Sequence, residues 1–196
     1  MASRDEILAA IRKHQPRATE LPHLDRDWTT YPDRLVQLAT VLSAIGGLFI
    51  RAASEAEADR QLRELAAYRD AKQMVSLVPG IGESTVDLWS LSDPHELETV
   101  DFAVLSGEFG VAENGAIWVT DRDLPHRVIY FIVQHLALVI RADQIVDNMH
   151  QAYERLTFER AEFGVFIAGP SKTADIEQSL VIGAHGPLSL TVICVG

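Results

Sequence analysis

Short apolar segments alternate with amphipathic segments along most of this 196-residue chain, and this alternation restricts the fold more than any other feature. Continuous apolar segments of this length are typical of strands whose two faces are covered by helices. Strands and helices in turn predict an α/β fold with an open, mainly parallel sheet and helices on both faces. The predicted strands cover residues 47–52, 74–78, 101–107, 135–140, 162–168 and 190–195.

One segment indicates antiparallel pairing instead. Residues 109–120, FGVAENGAIWVT, place Asn114-Gly115 between two apolar runs. Asn-Gly is a strong hairpin signal because both residues tolerate a positive φ. We therefore expect a hairpin at an edge of the sheet.

Capping residues mark the predicted helices. Ser3, Asp33 and Ser54 each precede a segment in which apolar residues recur at helical spacing. Another helix is predicted over residues 143–156, with an inward face formed by Ile145, Val146, Met149, Tyr153 and Leu156.

The first 32 residues differ from the rest of the chain. A helix with one apolar face is predicted over residues 3–14, and residues 15–32 contain three prolines and no periodicity. This composition predicts an extended arm, with Trp28 and Tyr31 anchored in apolar grooves. We expect an extra N-terminal helix and arm over residues 1–32 and a single α/β domain over residues 33–196.

Charge and cysteine content limit the partners. The net charge of −11 and pI near 5.0 oppose binding to nucleic acid or acidic membranes, because phosphate binding needs a basic face. The chain lacks a signal-peptide core and a long apolar run, so we expect a cytoplasmic protein without membrane insertion. Cys194 is the only cysteine and permits neither an internal disulfide nor a four-thiolate iron–sulfur cluster in this chain. The seven histidines stand singly, so no metal site is predicted.

The first candidate site follows the predicted strand at residues 162–168. Gly169 and Ser171 end that strand, and Thr173 is predicted to cap a new helix. In α/β proteins, a ligand site commonly forms where a strand ends and a helix begins. Gly169, Ser171 and Thr173 are therefore predicted to contact a ligand.

The start of this predicted helix suits an anion. Backbone amides of residues 171–174 would bind a carboxylate or phosphate, and Lys172 would add positive charge. Asp175 and Glu177 belong to the same candidate ligand-binding segment. Alternatively, the cap is an ordinary one and the two acids only complement the helix dipole.

A second polar cluster follows closely. Gly183, His185 and Gly186 lie in a tight loop that is expected to fold back towards the strand at residues 162–168. We predict a catalytic role for His185 and ligand contacts for the two glycines. The alternative is that His185 only hydrogen-bonds a backbone carbonyl.

Glu113, directly before the Asn-Gly pair, is the second catalytic candidate. If the side chain turned into a cleft, burial would raise its pKa and suit it to acid–base or nucleophilic work. Asn114 would then contact the ligand. Alternatively, both residues serve the geometry of the turn alone.

The chain resembles the lactate utilization protein C family, the LUD domain, over nearly its whole length, and four segments carry the resemblance. They are SRDEILAAIR, DFAVLSGEFGVAENGAIWV, RADQIVDNMHQAYERL and, as the most specific, GPSKTADIEQSLVIGAHGPLSLTVICV. The resemblance implies a fold of the NagB/RpiA/CoA-transferase type and a role in oxidising L-lactate to pyruvate. It also implies iron–sulfur oxidoreductase subunits as partners, which would carry the clusters.

On this basis the chain is expected to be an accessory subunit without a cofactor of its own, binding a small carboxylate or phosphate-like anion. The sequence AENG at residues 112–115 stands where the family usually has AETG. It resembles the Ser-Glu-Asn-Gly motif of CoA transferases, which implies an alternative function with Glu113 as acyl acceptor. A ligand-sensing module without catalysis is a third hypothesis.

Overall fold

The structure is a computed structural model that describes residues 3–16, 19–20, 22–24, 26–156, 163–174 and 180–196. The helices are α1 (Arg4–Lys13), α2 (Arg34–Ala44), α3 (Glu55–Glu64), α4 (Ala66–Asp70), α5 (Ile129–Ile132) and α6 (Met149–Arg155), with 3₁₀ helices at Leu88–Ser90 and Pro94–Thr99. The strands are β1 (Leu48–Ala52), β2 (Met74–Ser76), β3 (Phe102–Ser106), β4 (Phe109–Val111), β5 (Ala116–Thr120), β6 (His135–Arg141), β7 (Ile145–Val146), β8 (Gly164–Ile167), β9 (Lys172–Ala174), β10 (Leu180–Ile182) and β11 (Ser189–Val195).

The central sheet has five parallel strands in the order β1-β11-β6-β3-β2. Leu138 in β6 pairs with Val192 on one side and with Leu105 on the other, and all three are buried. These strands have apolar residues on both faces because both faces are covered. The predicted α/β class with a mainly parallel sheet is confirmed.

Different elements cover the two faces of this sheet. On one face, α3 and α4 pack through Ala58, Leu62 and Tyr68 against residues such as Phe102. On the other face, α2, α5 and the 3₁₀ helices form the larger core, to which Leu38 and Leu42 of α2 contribute.

The hairpin predicted at the Asn-Gly pair forms between β4 and β5, with Gly115 at φ +72°. Asn114 closes the turn, because its Oδ1 accepts a 3.1 Å hydrogen bond from the amide of Ala116. The hairpin belongs to a second sheet of four strands, in the order β7-β4-β5-β8. This second sheet packs on the same face of the central sheet as α2.

One helix prediction was wrong and another placed the helix start too early, because strand pairing overrides local spacing. Ile145 and Val146 form β7 beside β4, so the helix predicted over residues 143–156 begins only at Met149, after the N-cap Asn148. Thr173 does not cap a helix, because it lies in β9 and pairs with Val181 of β10. The sequence predicted free backbone amides at a helix start near Lys172. The structure instead has an antiparallel pair of strands there.

The N-terminal segment contacts the body through its arm rather than through its helix. Ser3 caps α1 with a capping box, as predicted, but no residue of α1 is buried. The ring of Trp28 stacks on His150 with centroids 3.4 Å apart. Tyr31 packs against the larger core. Within the described ranges, no helix has the length and apolar character that crossing a bilayer requires.

Candidate functional site

Four of the predicted site residues line one cavity, which we call the tail pocket. Gly169 and Ser171 approach it from the end of β8, and His185 and Gly186 approach it from the loop before β11. The cavity measures about 170 Å³. The other described residues that line it are Tyr130, Phe131, Leu136, Ile167, Pro170, Pro187 and Leu190.

Backbone hydrogen bonds hold the two walls of the tail pocket together. The amide of Ser171 donates to the carbonyl of Pro187 at 3.0 Å, and the amide of Gly183 donates to the carbonyl of Ser171 at 3.0 Å. Gly183 has φ +79°, and a Cβ on Gly186 would lie 3.1 Å from the Cβ of Ser171. The loop therefore folds back onto the end of β8, which is the arrangement that the glycine spacing predicts.

The tail pocket lies near the amino ends of the central strands, whereas ligand sites in open α/β sheets usually lie at the carboxyl ends. β8 belongs to the second sheet, and Leu136 and Leu190, which line the pocket, lie near the amino ends of β6 and β11. Among the described lining residues, only His185 has a side chain that can become positively charged. The pocket is mainly apolar and offers little counter-charge to a carboxylate.

Lys172 and Thr173, two other predicted ligand contacts, do not line this pocket. Lys172 is exposed, and its Nζ lies 3.7 Å from the position of a Cβ on Gly46, just beyond the C-terminus of α2. A lysine there complements the negative end of the helix dipole. Thr173 pairs in the hairpin, and Asp175 and Glu177 lie outside the described residues.

Glu113 is exposed on the turn between β4 and β5. Its Oε2 accepts a 2.8 Å hydrogen bond from the amide of Met149, the first residue of α6. An acyl acceptor would have to lie inside a cleft, but this carboxylate lies at the surface, where it caps α6. The contacts of Glu113 and Asn114 therefore favour the interpretation that both serve the geometry of the turn.

A groove that the sequence analysis did not identify runs along the carboxyl ends of the central strands. It consists of two adjoining cavities, about 270 and 290 Å³, that share Ser106 and Glu108. We call it the edge groove. Thr120, residues 122–124 and Tyr130 contribute to the first cavity, and residues 139–141 and Gln144 contribute to the second. In open α/β sheets, ligands bind at this edge.

Charged and hydroxyl groups converge in the first cavity of the edge groove. Oε1 of Glu108 accepts a 2.8 Å hydrogen bond from the hydroxyl of Thr120 and lies 3.6 Å from a guanidinium nitrogen of Arg122. The buried hydroxyl of Tyr130 donates to the carbonyl of Thr120 at 2.9 Å. Burial, together with the nearby carboxylates of Glu108 and Asp121, raises the pKa of Tyr130, so its proton stays in this hydrogen bond.

The sequence contains one signal that points to the edge groove. Ser106-Gly107-Glu108 follows directly after a buried strand, where polar residues of parallel α/β sheets gather. Gly107 fits there because a Cβ would lie 2.4 Å from Cγ2 of Ile117. In the described part of the chain, no three His, Cys, Asp or Glu side chains form a group able to hold a metal ion.

Comparison with known proteins places the chain among relatives of similar length. Residues 91–195 match the family model for the LUD domain. Lactate utilization protein C from Geobacillus kaustophilus is 26% identical over 98% of this chain and 96% of that protein. The protein of the same name from Geobacillus thermodenitrificans is also 26% identical, over 98% of this chain and 80% of that protein.

A solved structure has the same fold. The crystal structure of a DUF162 family protein from Deinococcus radiodurans superimposes with a TM-score of 0.60. The alignment covers 83% of this chain and 96% of that one, at 21% sequence identity. At this identity the likeness concerns the fold alone.

Proposed function

Because the chain belongs to the LUD domain family, we propose that it is a cytoplasmic component of an L-lactate utilization system and acts with iron–sulfur subunits. The proposal draws on the relatives named lactate utilization protein C, whose similarity extends over 98% of this chain. In this system the partner subunits carry the electrons, and this chain supplies a binding surface.

Cys194 supports this division of labour. The side chain is fully buried in β11, and burial raises the pKa of its thiol to about 11. A thiol with such a pKa stays protonated near neutral pH and is a poor metal ligand. A lactate oxidation system that uses iron–sulfur clusters therefore needs cysteines from another chain.

The observation that carries the proposal is an apolar surface beside the tail pocket. Phe131, Val181, Ile182 and Leu188, which we call the tail surface, are between 39% and 49% exposed. Phe131 and Leu188 line a second cavity with His185, of about 450 Å³. Phe131 and Leu188 are therefore exposed apolar residues at a concave surface, as is typical of protein interfaces. Val181 and Ile182 lie in β10, which leads into the loop of His185. We assign this surface to the contact with an iron–sulfur subunit.

Growth on two carbon sources tests the proposed role. Deletion of the gene should slow growth on L-lactate and leave growth on pyruvate unchanged, because pyruvate lies downstream of the oxidation step. Equal growth of the deletion strain and its parent on L-lactate would contradict the proposal.

Substitution in the tail surface tests the interface. The double substitution Ile182→Glu with Leu188→Glu should abolish co-purification of iron and acid-labile sulfide with the tagged protein, because buried carboxylates at an interface are strongly unfavourable. Val36→Glu is the matched control, since Val36 is a 56% exposed apolar residue on α2 that lines neither cavity beside the tail surface. Retention of the iron–sulfur partner by the double variant would refute this assignment.

A further inference from the structure

The edge groove has the chemistry of a ligand site, and no role has yet been assigned to it. We propose that its first cavity binds a small 2-hydroxycarboxylate, with Arg122 holding the carboxylate and Glu108 accepting the hydrogen bond of the 2-hydroxyl. The identity of the acid as L-lactate rests on the proposed function. The location of the site rests on the geometry of the groove alone.

The fold fixes the direction of the Glu108 carboxylate. Gly107 donates its amide to the carbonyl of Val139, and Glu108 donates its amide to the carbonyl of Trp118, so the backbone joins both sheets at this point. The hydroxyl of Thr120, itself buried, donates to Oε1 of Glu108. Within the described residues, Oε2 accepts no hydrogen bond. This oxygen is therefore available to a ligand hydroxyl.

Arg122 retains N–H donors for a ligand. Its side chain is partly exposed, and its ion pair within the described residues is a 3.6 Å contact with Glu108. A guanidinium has five N–H donors in a planar fork, so the remaining donors suit a carboxylate bound by two hydrogen bonds. Ser106 lines the same cavity and carries a hydroxyl, which is a further potential donor.

The charges of the cavity limit the ligand to one negative charge at most, because Arg122 is its single basic residue among the described lining residues. Glu108 and Asp123 line the same cavity as Arg122. A monocarboxylate gains the attraction of Arg122, whereas a second anionic group would meet one of the two acids. The volume of about 270 Å³ also suits a small acid and its waters, because pockets for larger ligands are commonly 300–1,000 Å³.

Calorimetry and NMR titration of the complete chain test the site with L-lactate, propionate and malate. L-lactate should bind about tenfold or more tightly than propionate, which lacks the hydroxyl, because a hydrogen bond to a charged group has about this effect. Malate should bind more weakly than L-lactate. The amide shifts caused by L-lactate should map to residues 106–108 and 120–124.

Variants separate the two roles. Arg122→Gln should weaken L-lactate binding about tenfold or more, with Arg122→Lys intermediate because it keeps the charge and loses the fork. Glu108→Gln should remove most of the preference for L-lactate over propionate. Arg60→Gln is the control and should bind like the unaltered chain, because Arg60 is an exposed arginine of α3 that lines neither cavity of the groove. Thermal unfolding confirms that each variant is folded.

Three results would overturn the site: no binding of L-lactate at millimolar concentration, unchanged binding by Arg122→Gln, or shifts confined to Ser171 and His185. Each leaves the growth phenotype of the deletion strain intact, so failure of the site is distinguishable from failure of the proposed function. Conversely, binding in the groove with normal growth of the deletion strain would retain the site and reject the role in lactate utilization.

Discussion

Asp147 joins three parts of the molecule through one buried side chain. It is 1% exposed and accepts hydrogen bonds of 2.9 Å from the amide of Tyr31 and from Nε of Arg34. Burial alone would raise the pKa of Asp147, but these hydrogen bonds and the charge of Arg34 leave it below its ordinary value. The carboxylate therefore stays ionised while the arm, α2 and the start of α6 are held together.

We predict that Asp147→Asn lowers the free energy of unfolding at pH 7 by about 1–3 kcal/mol, because the buried carboxylate loses its charge-assisted hydrogen bonds from Tyr31 and from the half-exposed Arg34. Since the pKa of Asp147 is lower in the folded state, its contribution is fully present above the unfolded pKa of about 3.8 and is lost as the pH falls through the folded pKa. Urea unfolding of both proteins should therefore show a difference that is constant from pH 7 to 5 and shrinks below pH 4.

The control for this prediction is Asp143→Asn. Asp143 pairs with Arg141 at 3.3 Å, but both side chains are mostly exposed. A surface pair of this kind contributes about 0.5 kcal/mol. Equal losses from the two substitutions, or a difference independent of pH, would contradict the role assigned to Asp147.

Among the elements, β8 depends on close contact between a glycine and an aromatic ring. β8 pairs with β5, and a Cβ on Gly164 would lie 2.3 Å from the ring of Trp118. We predict that Gly164→Ala destabilises the fold by about 1–3 kcal/mol, because the ring must move out of a packed position.

Gly110→Ala in β4 is the matched comparison for Gly164→Ala. The nearest atoms to a Cβ on Gly110 lie at 3.2 Å and belong to flexible side chains. The smaller clash in Gly110→Ala is partly offset, because replacing a glycine within a strand raises the free energy of unfolding by about 0.5–1 kcal/mol. Thermal and urea unfolding of both variants measure the order, and a larger loss for Gly110→Ala would disprove this account of β8.

Sequence patterns predicted the strands of the parallel sheet and the β4–β5 hairpin better than the short strands β7 and β9. The strands at residues 48–52, 102–106, 135–141 and 189–195 agree closely with the predicted ones, because continuous apolar residues mark a strand buried on both faces. The prediction that Thr173 caps a helix was wrong. Its local pattern suits a helix cap, but pairing with β10 determines its conformation. The prediction that Ile145 and Val146 belong to a helix was wrong for the same reason, because their pairing with β4 overrides the helical spacing of the sequence.

The two candidate sites also differ in how far the sequence predicts them. The approach of His185 to Ser171 was predictable, because only a short segment with glycines at its turns separates them. The edge groove was not predicted. The β4–β5 hairpin brings Glu108 near Arg122, but Tyr130 and Arg141 join Glu108 only through the packing of distant elements and the order of strands in the central sheet. The order of the strands depends on pairing between distant segments, so no single segment predicts it.

At the scale of the whole molecule, the arm is predicted to contribute to stability and α1 is not. Removal of residues 1–14 should change the free energy of unfolding by no more than about 0.5 kcal/mol, because α1 buries no residue. Removal of residues 1–32 should cost at least about 2 kcal/mol, since Asp147 and Asn148 lose their bonds to Tyr31 and Thr29.

Urea unfolding of the two truncated chains measures this difference. It also tests whether residues 33–196 behave as a separate domain, as the sequence predicts. Equal stability of both truncated chains would show that the arm contributes nothing and that the division at residue 32 is a true domain boundary.

The position of β11 determines when this protein can fold as it is made. β11 lies between β1 and β6, although β1 is synthesised about 140 residues earlier. Until residue 195 has left the ribosome, β1 has no partner and one edge of β6 stays open, with its apolar residues uncovered. Chaperones that shield unpaired strands during translation are therefore expected to hold this chain until its last described strand emerges.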